Sequence, residues 1–180
     1  MRNLRRTALS LVLAVALLGA MAVPAFAGNP QVSITVRAGV VSITNSQDEW
    51  EIGIVEAGGA AKKWGSSDTY STLTNTGTVN VDVEIQGADL THAGNATLNW
   101  VLSATGDPGD QLYGLNATTT GTYNIIVKKT PFNKLVTDLP HTSSNTKDWS
   151  MEFYTPTAFN AGDDGGLKST SVTLVASKTT

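Results

Sequence analysis

The sequence contains no cysteine and only two histidines. The absence of cysteine excludes a disulfide scaffold, a zinc site built from thiolates and a lipid-modified N-terminal cysteine. Neither His92 nor His141 accompanies a serine in a Gly-x-Ser-x-Gly elbow, and no zinc-peptidase, phosphate-binding or dinucleotide-binding motif occurs. We therefore expect a protein that is not an enzyme and that needs no cofactor.

Basic residues are also scarce, with 12 Lys and Arg against 15 Asp and Glu. Loss of the three arginines near the N-terminus would lower the net charge from −3 to about −6. A negative surface repels nucleic acid and anionic lipid. We expect neither nucleic acid nor, once the leader is removed, a membrane as a partner.

Long apolar runs are absent except at the N-terminus. Three arginines precede the run Ala8–Leu18, and Ala25-Phe26-Ala27 has the small-x-small pattern of a signal-peptidase site. The run is short for a bilayer crossing, which is the alternative interpretation. We predict a helical signal peptide over residues 1–27 that is cleaved after Ala27, so that the chain is secreted to the cell surface or beyond.

After residue 27 the sequence is typical of an all-β protein, because Thr, Val, Ile and aromatic residues recur in short runs between Gly, Pro, Asn and Asp. The clearest run alternates Val79, Val81, Val83 and Ile85 with polar residues, so one face should be buried and the other solvated. Asn75-Thr76-Gly77 precedes it as a turn signal, which predicts a hairpin between residues 70–75 and 79–86.

Similar short runs continue through the chain at a spacing of roughly 8–15 residues, as two packed antiparallel sheets require. We predict an all-β fold, a two-sheet antiparallel β-sandwich of immunoglobulin-like or jelly-roll-like type, forming a single domain over residues 28–180. The further predicted strands are residues 32–36, 41–45, 50–54, 98–102, 112–117, 123–127, 135–139, 149–153 and 172–176.

Acidic loops offer the only candidate metal ligands. Ca²⁺ takes six to eight oxygens, and adjacent carboxylates could supply two or three of them. No known calcium-loop spacing is matched, and aspartates at turn starts also bind the local backbone, which is the alternative. The candidate calcium ligands are Asp107, Asp110, Asp163 and Asp164, with Asp48 and Glu49 as a further pair.

Two other polar patterns can be interpreted. Asn95-Ala96-Thr97 and Asn116-Ala117-Thr118 match the acceptor pattern for N-glycosylation. Asp82 and Glu84 could form a carboxylate pair of a hydrolase, but their i, i+2 spacing places them on the solvated face opposite the valines.

The four tryptophans decide whether a sugar-stacking surface is present. Trp100 and Trp149 are in phase with apolar neighbours, which predicts core positions, whereas Trp50 could lie in either environment. Trp64 stands alone in a polar stretch, so we expect it to be exposed. One exposed ring does not make a platform.

Several segments resemble a group of uncharacterised secreted prokaryotic β-sandwich proteins, namely residues 73–85, 98–103, 110–115 and 148–157. This resemblance implies the sandwich fold and a cell-surface setting, and it brings no catalytic residues. The run Asn-Thr-Gly-Thr-Val-x-Val-Asp-Val at residues 75–83 also resembles biofilm fibre subunits of the TasA/camelysin type. That family implies a jelly-roll-like sandwich that polymerises by strand donation.

The expected function is structural: a secreted protein of the cell surface or matrix that assembles with itself or with other surface proteins. A β-rich segment near the predicted mature N-terminus could complete a neighbour's sheet, or it could pair within its own domain. A glycan- or protein-binding module with contacts at Trp64 and Tyr70 is the alternative function. The candidate assembly strand consists of Gln31, Val32, Ser33, Ile34, Thr35 and Val36.

Overall fold

A computed structural model describes residues 35–65, 70–163 and 166–180. The chain divides into two compact units, residues 1–37 and 38–180. In the first unit only residues 35–37 are described; they form no strand and are exposed. The predicted signal peptide and the predicted start of the domain at Gly28 lie outside the described residues, so both stay predictions.

The second unit is built almost entirely from β-strands. Its described residues also form one 3₁₀ turn, Ala96–Leu98. None of the described helical structure is long and apolar enough to cross a membrane. The strands are β1 (Ile43–Asn45), β2 (Lys62–Lys63), β3 (Ser71–Asn75), β4 (Val81–Gly87), β5 (Thr91–His92), β6 (Val101–Leu102), β7 (Leu112–Thr118), β8 (Ile125–Ile126), β9 (Asn133–Leu139), β10 (Thr146–Tyr154), β11 (Lys168–Ser169) and β12 (Val172–Lys178).

These strands form two principal sheets and one small ladder. The larger sheet has the order β1-β3-β10-β7-β6, with β2 also pairing with β10 and β8 with β7. The smaller sheet has the order β12-β4-β9, and β5 pairs with β11. All pairings are antiparallel except that of β6 with β7. The prediction of an all-β fold of packed antiparallel sheets is confirmed.

The core lies between the inward faces of the two sheets. In β4, Val81, Val83 and Ile85 are fully buried while the intervening Asp82 and Glu84 are only partly covered, so the predicted alternation is confirmed. The larger sheet contributes the facing side chains, because alternate residues of a strand point to the same side. These are Leu73 of β3, Tyr113 and Leu115 of β7, and Trp149, Met151 and Phe153 of β10.

The predicted hairpin between residues 70–75 and 79–86 is wrong. β3 pairs with β1 and β10, whereas β4 pairs with β12 and β9, so the connection between them passes from one sheet to the other. The backbone of this connection bonds to an earlier segment instead: Thr76 N donates to Ser42 O (3.0 Å) and Thr78 N to Val40 O (2.8 Å). A turn signal in the sequence therefore marks a corner between sheets.

Asn75 holds this corner together. Its side chain is 1% exposed; Nδ2 donates to Val79 O (2.9 Å) and Leu139 O (3.0 Å), and Oδ1 accepts from Gly77 N (2.9 Å). One amide thus links the end of β3, the approach to β4 and the end of β9. Gly77 is required beside it, because a Cβ there would lie 2.3 Å from Val40 O.

Several further predicted strands are wrong or shortened, among them the strand predicted over 41–45, which is reduced to β1. Residues 50–54 form no strand: Gly53 has a φ of +78° and Ile54 is 97% exposed. The strand predicted over 98–102 is reduced to β6, because the 3₁₀ turn capped by Asn95 occupies its start. The strand predicted over 123–127 is reduced to β8. Of the strand predicted over 32–36, residues 35 and 36 are described and are not in a strand.

We predict that Asn75→Ala lowers the free energy of unfolding by about 2–3 kcal/mol, because it leaves two buried carbonyls and one N–H without their partner. Denaturant titration of both proteins measures the difference. The exposed Asn124 provides the matched control, and Asn124→Ala should change stability by less than about 0.5 kcal/mol. Equal losses in the two variants would contradict the role given to the corner.

Candidate functional site

An aromatic cluster centred on Trp64 lies at one side of the core. Trp64 is 3% exposed, and its ring centroid lies 6.2 Å from that of Trp50, 5.5 Å from Tyr70 and 5.2 Å from Trp149. The indole Nε1 donates to Glu49 O (3.3 Å). The expectation that Trp64 is exposed is wrong, whereas the predicted core positions of Trp100 and Trp149 are confirmed.

Trp64 is buried because the chain before it pairs with a distant strand, which the sequence around Trp64 does not reveal. The preceding residues form β2, which pairs with Glu152 and Phe153 of β10, and Trp64 N donates to Met151 O (2.8 Å). This pairing fixes the chain against the larger sheet and brings the indole into the core. Because its indole is buried, Trp64 is not available as the main contact of a glycan-binding surface.

A cavity of about 460 Å³ adjoins the cluster, between inward-facing residues of β7, β10 and β12 and the segment 45–52. Its volume is within the range of sites that hold a ligand or a partner's side chains. The walls are mainly apolar and aromatic, with carboxylates and amides at the side formed by residues 45–49. It is lined by Asn45, Gln47, Asp48, Glu49, Trp50, Ile52, Trp64, Leu90, Tyr113, Leu115, Trp149, Met151, Phe153, Thr170, Ser171, Val172 and Leu174.

Tyr113 is the titratable group in the apolar wall. Burial raises its pKa to about 12, with the nearby Asp89 charge adding to the effect and a hydrogen bond with Thr170 opposing it. Its hydroxyl is therefore protonated at neutral pH and donates to Ala88 O. This tyrosine anchors the loop after β4, and its pKa does not suit a general base at neutral pH.

Among the described strands, β12 has a free edge, which the sequence did not reveal. On one side β12 pairs with β4 residue for residue, from Val172 with Gly87 to Lys178 with Val81. On the other side none of the described strands pairs with it. Val172, Leu174 and Ala176 are half-buried and Thr173, Val175 and Ser177 are exposed. The alternation predicted a strand here, but only the sheet order shows that it is an edge.

One candidate calcium ligand, Asp163, is engaged by other groups. Its Oδ1 accepts from Lys168 Nζ (2.7 Å) and its Oδ2 from Trp100 Nε1 (3.1 Å), with both charged side chains almost completely buried. The ammonium also lies 4.7 Å from the centre of the Trp100 ring, which stacks on Phe159. This carboxylate therefore balances a buried lysine and ties the β5–β11 ladder region to the 163 loop.

Two other calcium candidates, Asp107 and Asp110, lie at the surface. Asp110 Oδ1 accepts from Gln111 Nε2 (3.4 Å). Asp164 lies outside the described residues. Within the described ranges, no three or more His, Cys, Asp or Glu side chains are grouped so as to hold a metal ion. Calcium binding stays a prediction.

Asp82, considered above for a hydrolase pair, joins β4 to β9. Its Oδ2 accepts from Lys134 Nζ (2.7 Å) and its Oδ1 from Asp138 N (2.8 Å). The hydrogen bond from Lys134 and the backbone bond from Asp138 lower the pKa of this carboxyl. Asp82 is thus a carboxylate with two structural partners.

Both histidines take part in local hydrogen bonding. His92 Nδ1 accepts from Gly94 N (3.1 Å) and Asn95 N (3.0 Å), which shapes the turn after β5. His141 lies beside Asn80, with its ring Nδ1 2.9 Å from Asn80 Oδ1. His92 is the last residue of β5, not a loop residue as its polar surroundings suggested, and His141 lies in the bend after β9.

The two glycosylation candidates have different surroundings. Asn95 is exposed, and its Oδ1 accepts from Thr97 N (3.0 Å) and Thr97 Oγ1 (2.7 Å). Asn116 lies within β7, paired with β10 on one side and β8 on the other, and is half-buried. A glycan would meet less obstruction at Asn95.

A scan of protein-family models finds no match to this chain, and a search of curated proteins finds none. The geometry of the described residues therefore carries the functional inference. Two features stand out: the apolar cavity and the free edge of β12 beside it.

We predict that Trp64→Ala lowers the free energy of unfolding by about 3–5 kcal/mol, because it removes the centre of a buried aromatic cluster. Trp50→Ala is the matched control, since Trp50 contacts the same ring but is only half-buried. It should cost distinctly less in the same denaturant titration. A Trp64 variant as stable as the parent protein would refute the buried position.

We predict that Tyr113→Phe makes stability less sensitive to alkali. Between pH 10 and about 12 the unfolded chain ionises this tyrosine while the folded chain keeps it protonated, so stability falls as pH rises. Without the hydroxyl, the fall should be shallower by up to about 1.4 kcal/mol per pH unit. Denaturant titrations across this window measure the slope. An unchanged slope would count against the raised pKa.

Proposed function

We propose that this protein is a secreted, non-enzymatic structural protein of the cell surface or extracellular matrix, whose copies assemble through the N-terminal segment of residues 31–36. The observation that carries the proposal is at the described end of that segment. Val36 is 84% exposed and residues 35–42 form no strand, although Val32, Ile34 and Val36 alternate with polar residues. A segment with this pattern is suited to pair with another sheet.

The partners of the titratable side chains support a structural role. Asp82 is held by Lys134, Asp163 by Lys168, and the hydroxyl of Tyr113 by a backbone carbonyl. Each of these contacts joins two elements of the fold. Such groups contribute to the stability of a subunit, which must persist outside the cell without disulfide bonds.

The leader pattern of residues 1–27 and the resemblance to secreted surface proteins support export. The more distant resemblance of residues 75–83 to TasA/camelysin-type fibre subunits is consistent with assembly by strand donation. The partner that these observations favour is a second copy of this chain or another protein of the cell surface.

We predict that the chain beginning at Gly28 forms higher oligomers as its concentration rises, and that Ile34→Asp weakens this assembly. Burial of an isoleucine is worth about 1.5–3 kcal/mol, so the concentration needed for assembly should rise about tenfold or more. Light scattering measures the mass, and electron microscopy shows whether fibres or layers form.

Thr35→Asp is the matched control, because its side chain points to the opposite face of an extended segment and adds the same charge. It should assemble nearly as the parent chain does. Circular dichroism of all three proteins checks that the fold is retained. A parent chain that remains monomeric across concentration and salt would overturn the proposed function.

A further inference from the structure

The free edge of β12 has the properties of a strand acceptor. Of the described strands only β4 pairs with β12, so alternate residues along its seven positions direct their N–H and C=O groups to the other side; only the last residue, Lys178, is charged, and the strand contains no proline. Proteins usually protect such edges with inward-pointing charges, prolines or a covering segment. In the described part of the chain, β12 has only one such feature, Lys178 at its last position, and its first six residues have none.

The cavity lies directly inside this edge. Val172 and Leu174 of β12 form one wall, and Tyr113, Met151 and Phe153 of the larger sheet are among the residues that form the opposite wall. The inward side chains of β12 are only half-buried, whereas those of its neighbour β4 are fully buried. The smaller sheet thus ends one strand short of covering the core.

We infer that residues 31–36 of a second copy add a strand to the free edge of β12, with Val32, Ile34 and Val36 over the cavity. This inference rests on the proposed self-assembly and identifies its acceptor. Six extended residues span about 20 Å and the seven of β12 about 23 Å, so donor and acceptor match in length. Their alternating apolar patterns match as well.

Charge supports the same occupant. Arg37 is the only charged residue within residues 28–37. It directly follows the donor segment. Asp48 and Glu49 line the cavity and are exposed. A donor strand would therefore bring one cation towards two carboxylates at the rim while its apolar side chains enter the cavity.

The absence of cysteine allows a direct test by cross-linking. A chain carrying Thr35→Cys is mixed with a differently tagged chain carrying Val175→Cys, both beginning at Gly28. Thr35 and Val175 would lie on the outward face of the joined strands. Mild oxidation should form the mixed disulfide on the order of a hundredfold faster than random encounter, because pairing holds the thiols at a millimolar effective concentration.

Val101→Cys is the matched control, because Val101 and Val175 are each 39% exposed and β6 also lies at the edge of a sheet. It should cross-link only at the rate of random encounter. Cysteine at Leu174 should not react, because its side chain points to the opposite face, and cysteines at Thr173 and Ser177 should react more slowly than one at Val175, because two residues displace the thiols by about 7 Å along the strand.

Three outcomes would overturn the inference. If fibres or oligomers form but Val175 reacts no faster than Val101, the proposed function stands and the acceptor lies elsewhere. If the double variant Thr35→Cys/Val175→Cys links within a single chain and stays monomeric, the segment covers its own edge. If no oligomer and no cross-link form, the proposed function fails together with its acceptor.

Discussion

The side-chain amide of Asn75 is the contact on which the arrangement of the two sheets depends. It forms hydrogen bonds with two carbonyls and one N–H at the corner where the chain leaves the larger sheet and enters the smaller one. A buried corner without such a residue would leave these groups unpaired, at a cost of about 2–3 kcal/mol out of the roughly 5–15 kcal/mol of a typical domain. The direction of β4, and therefore the position of its valine face over β10, follows from this contact.

The buried face of β4 and the half-buried face of β12 show how the core is distributed. Val81, Val83 and Ile85 of β4 are fully buried in the core to which β7 and β10 also contribute. The next strand of the same sheet, β12, borders a cavity. The aromatic cluster around Trp64 closes the remaining side. The fold is thus densely packed in the middle and open at one edge, and the functional proposal follows from this difference.

Alternation of apolar and polar residues predicted part of the fold, although it failed over residues 50–54. The all-β class, the buried valines of β4 and the core positions of Trp100 and Trp149 follow from a period of two, which is a local property. The pairing of β3 with β10 instead of β4, and the burial of Trp64 by β2, depend on contacts between distant segments. The order of strands in a sheet is likewise nonlocal, so the free edge of β12 could not be predicted although its strand was.

The position of β12 has a consequence for symmetry. The proposed donor lies near the start of the chain and the acceptor near its end, so they are two different patches on each copy. An association of this kind is heterologous, and it propagates in one direction instead of closing as a two-fold dimer. Every such assembly would have two unlike ends, one with an unused donor and one with an open cavity, and a molecule that occupied either end would stop its growth there.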